Sequence, residues 1–378
     1  MSINSNIESA LTASDSQVAQ LTSNPASDHA AALALSTLHG FSGFTTCLPA
    51  GNSQGVLECV YELQQLSCSI SALEAASLVS LSRTQAIFAC LSMVNKYHQR
   101  KKQARGTLLL CADQPDVIAV SKMSGFEVKT SSINQLEHNL DSRVAAIILN
   151  LPSVGELEPL SEELAARLDQ MDVLVLRNGC RQYLLPAEVT TDNLRVDLMC
   201  LDLAHLCETE IDCFAVLANK KLSSYLPAPR VELIDNQYRL QTQLQNPLTI
   251  GPLNAAAGNV ESIIQCYVQL RLKGISRLQQ YALKALVSAV YVTEKLTEAG
   301  FQNSLRSVAG SGECDITFAS SEALSSALQE SLQHYSLSGM KIDEILDEEQ
   351  GVITLRLGRL HYLSKKQLDS LVELITNL

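Results

Sequence analysis

Val173-Leu-Val-Leu-Arg-Asn178 and Val196-Asp-Leu-Met-Cys-Leu-Asp-Leu203 are two short apolar runs, followed by Ala204-His205-Leu206-Cys207 and a third run, Phe214-Ala-Val-Leu217. Apolar runs of this length, bounded by polar turns, predict strands covered on both faces, as in a parallel sheet. In open α/β sheets, ligands and chemistry collect just past the carboxyl ends of such strands. Here those ends carry Asn178 and His205, which makes these two the first candidate site residues.

Working outward, further strands are expected at Leu108–Cys111, Phe126–Thr130 and Val144–Asn150. They alternate with helical patterns at Asp116–Met123, Ser132–Leu140 and Leu160–Asp169, the signature of a doubly wound, largely parallel sheet. Upstream, Val56, Val60, Leu63 and Leu66 recur at helical spacing within Ser53–Ile70. Ser71-Ala-Leu-Glu74 reads as a capping box opening a short turn. Downstream, Val260–Leu272 and Ser276–Ala299 read as helices, the second closed by Gly300. Asp315–Ala319, Ile342–Leu346 and Val352–Leu357 read as antiparallel strands, and Ser364–Leu378 as a terminal amphipathic helix. The organisation expected is an N-terminal arm over 1–52, a large domain over 53–275, and a linking helix with a small α+β domain over 276–378.

The 28 basic and 40 acidic residues leave a net charge of −12, which disfavours a phosphate-backbone partner, so no nucleic acid is expected. The one basic run, Arg100-Lys101-Lys102 with Arg105, reads as a solvated helix end. Eleven cysteines without a Cys-x-x-Cys pair make neither a zinc nor a redox pattern, and their odd count points to a reducing cytoplasm. The first residues lack a basic head before an apolar core, so no secretory signal is expected. No run reaches the roughly 18 apolar residues of a spanning helix, so no membrane partner is expected.

The stretch Asp197-Leu-Met-Cys-Leu-Asp-Leu-Ala-His205 resembles the D-V-V-H-L-N-L-H-K segment of the glycine decarboxylase P-protein family, the pyridoxal-phosphate (PLP) subunit of the glycine cleavage system. Tyr61-Glu-Leu-Gln64, Ser124-Gly-Phe126 and Ile148–Gly155 resemble further motifs of that family. So do Tyr225-Leu-Pro-Ala-Pro229 with Tyr238-Arg-Leu240 and Ile250-Gly251, and Gly258-Asn259. The resemblance covers roughly 53–299 and implies the aspartate-aminotransferase-like fold of PLP-dependent transferases (fold type I).

It also implies where the cofactor groups would fall. The family's Schiff-base lysine falls on His205, the Asp that pairs with the pyridine nitrogen on Asn178, and the ring-stacking His on Gln114. The glycine-rich phosphate cradle falls on Leu81-Ser-Arg83-Thr84-Gln85-Ala-Ile87, where only Gln85 matches and neither glycine is present. PLP chemistry needs the lysine, the carboxylate and the phosphate anchor together. Glu208, Glu210 and Asp212 fill a shortened loop after His205 and would repel a phosphate dianion. Lys220 and Lys221, some fifteen residues on, are expected to face solvent.

The reading is therefore a P-protein-like subunit that has lost PLP catalysis. It is expected to carry no covalently bound cofactor, with weak non-covalent PLP binding left open. The partner would be a second copy or a PLP-active P-protein-like paralogue. The alternative is an enzyme using PLP or pyridoxamine phosphate, with His205 as base in place of the lysine. Against it stands the common role of a strand-end His as a hydrogen-bonded structural residue.

Overall fold

The computed structural model describes residues 53–111, 115–132, 135–150, 160–179, 195–207, 209, 211–254, 257–305, 314–319, 341–347 and 352–376. Helix α1 (Gln54–Ser71) leads into β1 (Ala75–Ser80), α2 (Arg83–Arg100), β2 (Thr107–Leu110), α3 (Pro115–Met123) and β3 (Glu127–Thr130). A single turn, α4 (Leu136–Asn139), is followed by β4 (Val144–Asn150), α5 (Glu162–Gln170), β5 (Leu174–Gly179) and β6 (Leu198–Asp202). The one-turn α6 (Leu203–Cys207) then precedes β7 (Phe214–Ala218). These strands form one sheet in the order β1-β7-β6-β5-β4-β2-β3, in which β7 runs antiparallel to both its neighbours.

Residue alternation decides what each face buries. Leu108, Leu110, Ile148, Leu174, Leu176, Leu198 and Cys200 pack with Ala86, Cys90 and Val94 of α2 and Val117 of α3. Their neighbours Leu109, Ile147, Val173 and Val175 point the other way, onto Leu164 and Leu168 of α5. Nearer β1, Met199, Leu201 and Leu217 meet Leu57, Val60 and Leu63 of α1. Both faces are thus covered, which is why the strands read as continuous apolar runs.

Beyond the sheet, β8 (Arg230–Ile234) and β9 (Gln237–Gln241) form a hairpin. Its turn residues Asp235 and Asn236 both take left-handed backbone (φ 51° and 58°), as a two-residue hairpin turn with the twist of its strands requires. Next comes α7 (Val260–Glu298), broken at Gly274 (φ 71°, ψ 158°), so the two helices expected here are separated by that glycine. A second sheet holds β10 (Gln302–Leu305), β11 (Cys314–Ala319), β12 (Lys341–Asp347) and β13 (Val352–Gly358), in the order β10-β11-β13-β12. Ile316, Leu355 and Leu357 pack there with Val292 and Leu296 of α7 and Leu368 and Leu371 of α8 (Lys365–Thr376).

One expectation needs correction. Ser71-Ala-Leu-Glu74 opens no turn of helix: the Ser71 hydroxyl bonds back to the Ser67 carbonyl at 2.9 Å inside α1, and Ala72 ends that helix in left-handed backbone. Residues 75–80 form β1, a strand with no counterpart among the expected elements. Lys221 and Lys101 are solvent-exposed and also ion-paired. Their ammonium groups hold the two oxygens of Asp172 at 2.8 and 2.7 Å, with the Tyr97 hydroxyl donating a third bond at 2.8 Å.

Candidate site at the carboxyl edge of the sheet

β6 delivers the centre of the site. The strand ends at Asp202, and the chain turns at once into α6 because Leu203 and Ala204 donate their N–H groups to the Cys213 carbonyl (2.9 and 3.2 Å). His205 therefore sits inside a one-turn helix, three residues past the strand, rather than on the strand end. Asp202 Oδ1 accepts the His205 N–H at 2.8 Å and so caps that turn.

Asp202 was not singled out from sequence; an acid closing the apolar run of β6 was the available signal. Burial is the main reason its carboxyl is pushed up to about 6. The His205 N–H and Arg83 oppose that rise, while Asp212 and Cys266 add to it.

β5 supplies the second group. Asn178 pairs in register with Cys200 of β6 and with Asn150 of β4. Leu174 and Leu176 face α2, so alternation turns Asn178 toward the same side, the side faced by Cys200 and, two residues on, Asp202.

The start of α2 completes the edge. Ser82 Oγ accepts the Gln85 N–H at 3.2 Å, a conventional N-cap. The Gln85 side chain is engaged at both ends: its oxygen accepts the Leu81 N–H (2.7 Å) and its amide donates to the Leu253 carbonyl (3.3 Å). Arg83 pairs with Asp116 of α3 at 3.4 Å, and Thr84 is exposed on the first turn. The segment after Leu253 is held onto β1, where Asn254 donates to the Val79 carbonyl at 2.7 Å. Gly258, at φ 99°, approaches so closely that a Cβ would lie 2.4 Å from the Leu78 carbonyl oxygen.

The structure thus brings His205, Asn178, Arg83, Thr84 and Gln85 to one edge, while Gln114 lies outside the described residues. Lys221 is held at the opposite edge by Asp172. At the positions where the resemblance places the cofactor's lysine and carboxylate, α6 carries an imidazole and β5 an uncharged amide. The first turn of α2 is engaged by Ser82, Gln85 and Asp116. These residues do not fit a lysine-bound PLP. Among the described residues there is no cluster of three or more metal-ligating side chains, and no helix is long and apolar enough to cross a membrane.

The architecture is the aspartate-aminotransferase-like fold of PLP-dependent enzymes. Glycine decarboxylase (P-protein) of the glycine cleavage system, in inhibitor-bound form, superposes with a TM-score of 0.67 at 16% identity, over 92% of this chain and 81% of that one. An aspartate aminotransferase of Thermus thermophilus superposes with a TM-score of 0.59 at 12% identity, over 90% of this chain and 95% of that one.

The chain is glycine-decarboxylase-like in sequence as well. It is 28% identical over 278 residues to the probable glycine dehydrogenase (decarboxylating) subunit 2 of Methylococcus capsulatus, covering 68% of this chain and 57% of the relative. The protein of the same name from Coxiella burnetii is 28% identical over 287 residues, covering 72% and 58%. The chain thus spans less than two thirds of the length of these curated relatives. No family model matches it.

Proposed function

We propose that this chain is a P-protein-like subunit that has lost PLP catalysis and serves as a non-catalytic or regulatory partner of a PLP-active paralogue. The observation that carries this reading is His205. It stands where the resemblance places the Schiff-base lysine, inside a turn whose N–H is held by the half-buried Asp202. An imidazole at that point cannot form the imine that tethers the cofactor.

Asn178 adds to the case, since an amide carries no charge to keep a pyridine nitrogen protonated. Arg83 and Gln85 add to it by their engagement with Asp116 and with the Leu81 and Leu253 backbone. The name "subunit 2" of the curated relatives is the ground for proposing a partner subunit, either a PLP-active paralogue or a second copy of this chain. We also propose the division into an arm (1–52), a large domain (53–275) and a small domain (276–378), and a cytoplasmic setting.

The test is a PLP titration of the purified chain, read by near-visible absorbance and by borohydride reduction followed by mass spectrometry. No saturable band and no trapped adduct are expected. A saturable spectrum that disappears in His205→Ala would overturn the proposal and favour an enzyme using His205 as base.

A further inference from the structure

Three thiols meet behind α6. Cys207 closes that helix, Cys213 precedes β7, and Cys266 lies in the first half of α7; none is more than 2% exposed. The Cys207 thiol donates to the Cys266 carbonyl (3.6 Å), and the Thr209 hydroxyl lies 3.7 Å from Cys266 Sγ. The Cys266 sulfur is also hydrogen-bonded by both Cys207 and Cys213.

Burial by itself leaves a thiol protonated and inert. Cys90 and Cys200 illustrate this on the other face of the sheet, where burial pushes Cys200 up to about 12. Cys266 differs because Cys207, Cys213 and Thr209 all lie against its sulfur. Burial opposes ionisation there, but the bonds from Cys207, Cys213 and Thr209 outweigh it and hold the thiol below its usual value. Cys207 is pushed up by burial and by Cys266, and Cys213 by its bond to Cys266 and by burial. A thiol that ionises more readily than the thiols packed against it is the arrangement from which disulfides form.

We propose that Cys266 and Cys207 are a dithiol–disulfide couple, oxidised by hydrogen peroxide, that staples α6 to α7. The Cys266 thiolate attacks one peroxide oxygen; the O–O bond breaks and hydroxide leaves, to be protonated to water. Cys207 then attacks the resulting sulfenic sulfur, the S–S bond forms, the S–O bond breaks, and a second water leaves with the Cys207 proton. The two thiols lose two electrons and two protons, and the peroxide is reduced to two waters.

Cys207 is the resolving partner because it closes a one-turn helix with its thiol already turned onto Cys266. Cys213 is fixed by the bonds its carbonyl accepts from Leu203 and Ala204. The staple would anchor the turn that carries His205. It does not depend on whether PLP binds.

The test uses the reduced full-length chain, treated with hydrogen peroxide, alkylated after denaturation and mapped by peptide mass spectrometry. A dithiothreitol-reversible Cys207–Cys266 peptide is expected, with the titratable thiols falling by two from the eleven of the sequence. Cys213→Ser is expected to retain this product and Cys266→Ser to abolish it, with circular dichroism confirming that both variants fold. Full alkylation of Cys266 at peroxide levels that oxidise the half-buried Cys59 and Cys68 would overturn the proposal, as would a disulfide through Cys213.

Discussion

Asp202 holds the backbone N–H of His205 at 2.8 Å, so a half-buried carboxylate fixes the turn that carries His205. Burial raises that carboxyl to about 6, and Asp212 adds to the rise. A carboxyl raised on folding binds its proton more tightly in the folded chain, so stability falls as pH rises from the unfolded value toward about 6. Asn caps a helix about as well as Asp and carries no charge. Asp202→Asn is therefore expected to match or exceed wild type at pH 7.5, by on the order of 1–2 kcal/mol, and to lose that advantage at pH 4. Urea unfolding at the two pH values measures it.

Asp172 joins three segments at the opposite edge. Burial works against its ionisation, but Lys101, Lys221 and Tyr97 outweigh it and hold the carboxyl well below the usual carboxylate range. A carboxyl depressed on folding contributes its full stability above the unfolded value and loses it progressively as pH falls from there through the depressed folded value. The lysines are substantially solvent-exposed, so the contribution is discounted for screening. Asp172→Asn is expected to cost about 1 kcal/mol at pH 7. The gap to wild type should close below about pH 3, as chemical denaturation across pH would show.

At Gly258 the backbone leaves no room for a side chain. A Cβ there would meet the Leu78 carbonyl oxygen at 2.4 Å, and φ is 99°. Gly258→Ala is expected to destabilise by about 2–4 kcal/mol, because backbone rather than a flexible side chain must move. A shift in the thermal midpoint checks it, with Gly106→Ala as the comparison, since nothing lies within 4 Å of that position.

Restoring the two family residues is not expected to restore the cofactor. In a His205→Lys, Asn178→Asp double variant, Arg83 remains paired with Asp116, and Gln85 stays bonded to Leu81 and Leu253. A PLP titration should show no saturable near-visible band. Micromolar binding by the double variant would mean that α2 still offers a phosphate seat.

The strands that read clearly in the sequence were those buried on both faces. Leu108–Leu110, Val144–Ile148, Leu174–Leu176 and Leu198–Leu201 are continuous apolar runs because helices cover each side of them. β1 was hidden: Ala-Ala-Ser-Leu-Val-Ser is fully buried yet mostly small residues, and it follows a Ser…Glu spacing that mimics a helix start. Asn178 and His205 were legible as strand-end polar residues, although the turn into α6 depends on bonds to Cys213 that no local pattern announces. Asp202 and the Cys207–Cys213–Cys266 contact escaped notice for the same reason. Their character comes from burial and from partners distant in the chain. The lysines around Asp172 are as exposed as they read; what stayed hidden was the acid that reaches them from another segment.

The central claim is that this subunit carries no PLP of its own and works beside one that does. The most direct measurement isolates the chain with its partners at native expression level, reduces the assembly with borohydride, and locates the PLP mass by peptide mapping. The expected result is a PLP adduct on a lysine of a co-purifying paralogue and none on this chain. An adduct on this chain, or its purification with no such paralogue while it binds PLP saturably, would contradict the account.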